Sequence, residues 1–425
     1  VALVVRRSVA VIGAGAGGAT AAYCLAKAGL EVDVYEASGA VGGLARSVGL
    51  WGQSVGIGPQ HFFSADPRVN ELWLEVVGGD FEMVEPVVGS HPAPAALCPP
   101  TLTGLADAAS TGQAAPRSRR RSVDAALAAA GSGLGGLLRG VWPRHGRRAA
   151  VPEFAHPRHG FGEVYSRMCE FVEKRGGRVH LDTPVAQLVV DDAQVVGVRL
   201  NNAVVYEHDH VVSSMPPAVL AGRLPEPPAA VAAAGAGLTR CNTVVVYLLT
   251  SGRSVFRETW IDVRDPSLRT GRITNFDNWV PAAKRGELET VVALEYWCSS
   301  EHEFWRWEDE QYVALARNEL AATGLVDIDE ILDGVALRVP KSLPVYRESL
   351  RRHLDVLEDH LQGLSGLEVI GQHGPIVRNR QGHGILMGML AAQNIVEDAG
   401  HDLWADPAVH AHPATSRITA TGLVY

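Results

Sequence analysis

The sequence predicts an α/β protein: a doubly wound domain with a second domain, built on a mixed sheet, inserted into it. Three observations predict this. Residues 9–36 run as an apolar stretch, a G-x-G-x-x-G turn, a small-residue helix and a second apolar stretch. Residues 243–249, 259–263 and 290–297 are apolar runs that alternate in the manner of a mixed or antiparallel sheet. Residues 367–371 form another apolar run ending in glycine, followed by a glycine-spaced helical stretch at 382–395.

The first of these is the most informative. Residues 9–12 read as a buried parallel strand. Gly13 then permits a tight turn, Gly15 lets backbone approach a pyrophosphate, and Gly18 lets the helix pack on the sheet. The helix starting near Ala16 and Gly17 offers N–H groups and a positive dipole end to phosphate. Gly29 stops it, and residues 32–35 form a second strand ending in Glu36. A carboxylate there accepts both ribose hydroxyls and repels a 2′-phosphate. The turn alone is a weak signal. The strand before it, the helix after it and the acid at this distance make it a Rossmann-like dinucleotide fingerprint.

Later elements follow from similar patterns. Residues 162–175 read as an amphipathic helix ended by Gly176 and Gly177, and 178–181 as a strand. Asp191-Asp192 is a hairpin turn between strands at 185–190 and 194–200. Residues 211–216 return toward the nucleotide domain. Helices at about 308–322 and 347–361 surround the alternating runs, and 240–345 is read as the main part of the substrate domain. His208-Asp209-His210 is read as a polar face on an exposed strand edge rather than a metal site, and no internal repeat is evident.

Composition narrows the function. The 425 residues carry a net charge of −9, which argues against a general nucleic-acid binder. Residues 89–150 are an exception, Arg-, Ala- and Pro-rich with a local charge of +6. Three readings of them stand: a linker, a basic patch or a degraded remnant. The five cysteines are scattered and unpaired in sequence, which fits reduced thiols in a cytoplasmic protein. No apolar run of about 20 residues predicts a membrane span, and no signal peptide is expected. Position 1 is Val, which leaves the natural start open. No catalytic triad, HExxH motif or paired-carboxylate site is recognisable.

Three further motifs bear on the cofactor. Gly39-Ala-Val-Gly42-Gly43-Leu44-Ala-Arg46 follows directly on Glu36 and Ala37. Gly58-Pro59-Gln-His61-Phe62-Phe63 comes next. Near the C-terminus, Gly371 precedes Gly382-His383-Gly384-Ile385, which opens a helix. With 154–162, 271–276, 293–297 and 344–346, these segments resemble the FAD-dependent flavin amine oxidase and protoporphyrinogen-oxidase-like superfamily, with kinship to UDP-galactopyranose mutase.

The resemblance implies a GR2-type FAD-binding domain in three parts, 1–88, 151–239 and 346–425. The atypical segment 89–150 and the substrate domain 240–345 are inserted into it. It implies FAD as cofactor, held by Gly13, Gly15, Ala16, Gly17, Gly18, Glu36, Ala37, Gly42, Gly43, Leu44, Arg46, Gly58, Pro59, Val185, Gly371, His383, Gly384 and Ile385. In the family Val185 uses its backbone beside the adenine, and the late helix points its N-terminus at the flavin. Catalytic candidates are His61, a polar group near the ring, and Trp297 and Tyr346, an aromatic wall with Tyr296 and Trp279. A small organic substrate giving hydride to flavin N5 is the expected chemistry. A non-redox mutase of a nucleotide sugar would draw on Arg240, Arg264, Arg338 or Arg378, and a decayed flavin-binding protein is the third possibility. The chain departs from its relatives at Gly56 and Gly382, where they usually carry Asp. No metal site is expected.

Overall fold

A computed structural model describes residues 7–58, 60–91, 153–252, 255–279, 289–345, 349–371, 381–405 and 407–425. Pro59, Tyr346, Arg378 and nearly all of segment 89–150 therefore lie outside the described residues. Over its described residues the chain divides into two compact units. Val1–Met83, Phe154–Thr239 and Arg347–Tyr425 make the first, and Val84–Glu153 with Arg240–Tyr346 the second.

In chain order, β1 (Ser8–Ile12), α1 (Ala16–Lys27) and β2 (Glu31–Tyr35) form the predicted fingerprint. A hairpin of β3 (Ser47–Leu50) and β4 (Gln53–Gly56) follows, then α2 (Pro67–Val77), β5 (Phe81–Val84) and β6 (Val88–His91). After the segment that is not described come β7 (Phe154–Pro157), α3 (Phe161–Lys174), β8 (Arg178–His180), β9 (Val185–Asp191), β10 (Gln194–Leu200), β11 (Val205–Glu207) and β12 (His210–Ser213). Helices α4 (Pro217–Ala221) and α5 (Ala229–Gly237) precede β13 (Arg240–Ser251), β14 (Trp260–Val263), β15 (Arg272–Asn275) and β16 (Glu289–Cys298). The chain continues through α6 (Asp309–Ala322), β17 (Ile331–Pro344), α7 (Leu350–Gln362), β18 (Leu367–Val369), α8 (Gln381–Glu397), β19 (Arg417–Thr419) and β20 (Gly422–Val424).

The first unit is built on a parallel sheet in the order β18-β12-β1-β2-β8. Both faces are covered, so its central strands read as unbroken apolar runs. Val9, Val11, Val32, Val34 and Val212 pack beneath α1, α3 and α8 on one face. Ala10, Ile12, Tyr35 and Val211 pack on the other against α4, α5, α7 and the β9–β11 sheet. Helices α1 and α8 approach closely because small residues meet at their seam. A Cβ on Gly388 would lie 2.4 Å from the Gly17 carbonyl oxygen, and one on Gly384 would lie 3.2 Å from the Ala16 Cβ.

The second unit is a six-stranded mixed sheet in the order β17-β13-β16-β15-β14-β6, antiparallel except for the β14–β6 pair. Val244, Val246, Leu248, Val292, Leu294 and Tyr296 form one face of it, packed on Tyr312, Ala316 and Leu320 of α6. Two expectations are corrected. Helix α7 does not surround these strands: Leu357 and Leu361 bury it in the first unit. His208-Asp209-His210 is not an exposed edge, because β12 lies between β1 and β18 and His208 is buried. The β17 strand is hard to read from sequence because its burial does not alternate cleanly, with Pro340 inside it.

Candidate functional site

The glycine-rich turn is shaped by contacts that side chains could not make. Gly13 has φ of +91°, and its N–H donates to the Tyr35 carbonyl at 2.9 Å. A Cβ on Gly18 would lie 1.8 Å from the Gly13 carbonyl oxygen, so the helix could not start against the turn with any other residue. Gly15 differs. Its backbone is extended, and a Cβ there would meet only the Gly43 Cα, at 3.9 Å. The packing of the fold does not need glycine at 15. Helix α1 has Gly15 as N-cap, no side-chain cap and no acid in its first turn. The N–H groups of its first turn therefore have no side-chain cap from the helix itself.

Glu36 is fixed rather than mobile. It is 9% exposed, and one carboxylate oxygen accepts from the Ala14 N–H at 2.8 Å. The other accepts from the Ser38 N–H at 2.9 Å and the Ser38 hydroxyl at 2.7 Å. The oxygen bonded to Ala14 keeps a lone pair for a further hydroxyl, while the one bonded to Ser38 already accepts twice. Ala37 beside it is exposed, and the Val185 side chain is buried, which leaves its backbone for any ligand contact. The end of β2 is held by a polar group beneath it. Arg178 donates twice to Asp33, at 2.6 and 2.7 Å, and His180 lies 3.0 Å from the same carboxylate. Burial pushes the Asp33 carboxyl up, but the bonds from Arg178 and His180 outweigh it and hold it below the usual range. Tyr35 stacks on His180 with ring centres 5.0 Å apart and bonds His208 at 3.1 Å.

The G-G-x-x-R turn packs on the fingerprint. Gly15 and Gly42 form a parallel bridge, and the Gly42 N–H donates to the Ala14 carbonyl at 2.8 Å. Leu44 lies in a short 3₁₀ turn, Gly43–Ala45. Arg46, half-buried, follows it, and no carboxylate among the described residues pairs with its guanidinium. Gly58 and His61 belong to the next loop. His61 is half-buried, with its ring centre 5.3 Å from that of Phe63 and 5.6 Å from that of Phe154. Phe62 instead stacks on Trp73 at 4.9 Å in the core.

Helix α8 completes this cluster. A Cβ on Gly382 would lie 2.8 Å from the Phe63 carbonyl oxygen, which gives a steric reason for glycine at this position. His383 and Gly384 sit in the first turn, while the Ile385 side chain is wholly in the core and its N–H falls past the unpaired donors of that turn. Gly371 follows β18 and approaches Ser214, its Cβ position being 3.5 Å from that carbonyl oxygen. Thus the four predicted cofactor segments all belong to the first unit, and adjacent ones touch. Sequence reasoning missed Ser38, Gln60, Tyr165 and Gln381. Only Ser38 carried a signal, a hydroxyl two residues past the acid.

The second unit places the aromatic candidates differently. Tyr296 is buried and donates to Glu319 at 3.1 Å; Trp279 is buried with its ring 6.0 Å from that of Trp260. Both belong to packing rather than an open wall. Trp297 is half-buried over Gly271, where a Cβ would lie 2.0 Å from its ring. Of the arginines, Arg240 donates to the Lys341 and Ser342 carbonyls at 2.6 and 3.0 Å, and Arg338 pairs with Asp309 at 2.8 Å. Cys24, Cys169, Cys241 and Cys298 are free thiols, and burial pushes Cys24 and Cys169 up to about 12. They are poor nucleophiles. Among the described residues, no group of three His, Cys, Asp or Glu could hold a metal ion, and no helix is long and apolar enough to cross a membrane.

Known proteins agree with this geometry. Residues 11–76 match the NAD(P)-binding Rossmann-like domain family. Residues 108–345, more than half of the chain, match the family of flavin containing amine oxidoreductases. That second match crosses residues 108–150, which the resemblance drawn from sequence motifs leaves out. Among solved structures, reduced UDP-galactopyranose mutase superposes with a TM-score of 0.72 at 16% identity, covering 96% of this chain and 98% of its own. A putative protoporphyrinogen oxidase from Exiguobacterium sp. 255-15 gives 0.65 at 15% identity, covering 92% and 99%. Putrescine oxidase bound to putrescine gives 0.60 at 16% identity, covering 92% and 99%. These are likenesses of fold. No curated protein sequence matches. The fingerprint, the parallel sheet and the matched span converge: the chain belongs to the flavin-containing amine oxidoreductase family.

Proposed function

We propose that the first unit binds FAD and that the protein is an FAD-dependent oxidoreductase, taking hydride from a small organic substrate. One observation carries this reading. The segments expected to hold the cofactor are joined into one cradle, through the Gly15–Gly42 bridge and the seating of Gly384 on α1, and each of these approaches is made at a glycine. Such a cradle suits FAD, because backbone rather than side chains must line a pyrophosphate.

When bound, the flavin supplies the hydride acceptor. The chain's own residues do the rest. The α1 N-terminus and the Arg46 guanidinium would neutralise the pyrophosphate, and Glu36, held by Ala14 and Ser38, would accept from a ribose hydroxyl. The α8 N-terminus, with no acid in its first turn, favours negative charge on the ring. His61 is proposed as the polar group at the substrate, and Trp297 and Tyr346 as apolar substrate contacts. The arrangement of Arg240 and Arg338 weighs against the mutase alternative, because both are already bonded within the second unit.

Purified protein tests this directly. It should be yellow, retain FAD, and with a panel of amines form peroxide or reduce an artificial acceptor. Activity only after dithionite reduction, on UDP-galactopyranose and without net redox change, would establish the mutase instead. Bound FAD with no turnover on either panel would favour a decayed enzyme.

A further inference from the structure

We infer that Tyr165, Gln381 and Gln60 form a directional hydrogen-bond relay that positions the FAD cradle; the inference rests on reading that cradle as the cofactor site. Tyr165 on α3 is fully buried, and its hydroxyl donates to the Gln381 Oε1 at 2.6 Å. Gln381, the first residue of α8 and 8% exposed, donates from Nε2 to the Gln60 Oε1 at 3.4 Å. Gln60 in turn donates from Nε2 to the carbonyls of Leu44 and Ile57, at 2.9 and 3.2 Å. Every donor points the same way, from α3 to the loops.

The relay's end points are what give it a role. Leu44 lies in the 3₁₀ turn of the G-G-x-x-R segment, Ile57 and Gln60 in the loop carrying Gly58 and His61, and Gln381 at the mouth of α8. Three of the four cofactor segments are thus tied by two amide side chains. A chain of this kind, buried at Tyr165 and Gln381 and half-buried at Gln60, fixes a unique arrangement only when each member is satisfied, and here each link sets the orientation of the next amide. Apolar residues would fill the same space but would leave the Leu44 and Ile57 carbonyls without these donors. The three are positioning residues: they act on the cofactor through the loops they hold.

The test is a double-mutant cycle on FAD binding by the full chain. Gln381→Leu and Gln60→Leu are each expected to weaken FAD about tenfold and to shift the visible circular dichroism of the bound flavin. The double variant is expected to be no more than about tenfold weaker than wild type, because either change breaks the same relay. Tyr165→Phe should show the same spectral shift with a smaller loss, about threefold. Gln60→Ala, at a half-buried loop position, reads out the same link if Gln381→Leu does not fold. Unchanged FAD affinity and flavin spectrum in Gln60→Ala or Tyr165→Phe, with only the melting temperature lowered, would overturn the inference. So would a double variant about a hundredfold weaker, which would mean two independent sites. Wild-type protein that takes up no FAD would instead overturn the cofactor reading, and the relay's role with it.

Discussion

Gly18 and Glu319 show how differently the two units encode their structure. Gly18 matters because it has no side chain: α1 begins against the Gly13 carbonyl, where any Cβ would overlap oxygen. Glu319 matters because of what its side chain reaches. Buried on α6, it accepts from the Arg269 N–H at 2.6 Å, the Thr270 N–H at 3.0 Å and the Tyr296 hydroxyl at 3.1 Å. The first kind of requirement leaves a trace in sequence, because the glycine spacing comes with an apolar strand before it, a helix after it and Glu36 beyond. The second leaves none, because a glutamate on a helix is ordinary until its partners, 23 to 50 residues away, are known.

This difference can be broken or sharpened by substitution. The largest effect is expected at Gly18→Ala, which forces α1 away from the turn. A loss of at least ~3 kcal/mol is expected, read as a large fall in melting temperature or in soluble yield. A variant as stable as wild type would show that the turn is not constrained as described. Glu319→Ala comes next, leaving two backbone donors and a phenol unsatisfied. It should cost about 2–4 kcal/mol while FAD content of the folded fraction stays unchanged. Loss of FAD at constant stability would remove the distinction between the units.

Arg178→Ala is expected to have the smallest effect, about 1 kcal/mol near neutral pH, because the arginine is largely exposed. Its pH dependence is informative. The Asp33 carboxyl is held low in the folded protein, so its contribution is complete above the unfolded value of about 3.9 and is lost as pH falls through the folded value. The gap between wild type and variant in urea unfolding should therefore narrow at about pH 3 relative to pH 7. An equal gap at both would mean that Arg178 acts through packing alone.

Much of the first unit was legible for this reason. Gly13, Gly15, Gly18 and Glu36 announced a strand, a helix and an acid by spacing, and all fall where that spacing requires. The Asp191-Asp192 turn was legible too, with Asp192 and Ala193 both at positive φ between β9 and β10. Gln60 and Gln381 could not be read, because their pairing spans 321 residues and depends on how α8 docks. Tyr296 and Trp279 look in sequence like an aromatic wall, yet the period-two pattern places Tyr296 on a sheet face without saying whether that face is core, and Trp279 follows a 3₁₀ turn that has no such pattern. Placing α7 with the wrong unit had the same source: its amphipathic pattern shows that it packs, not against what.

Gly18 is glycine for the fold, and Gly15 is proposed to be glycine for a ligand. Titrating apo-protein with FAD, in wild type and in Gly15→Ala, tests it most directly. Wild type is expected to bind one FAD per chain, and Gly15→Ala to stay within about 1 kcal/mol of wild type in stability but to bind FAD at least about tenfold more weakly. Undiminished FAD binding by folded Gly15→Ala would contradict it.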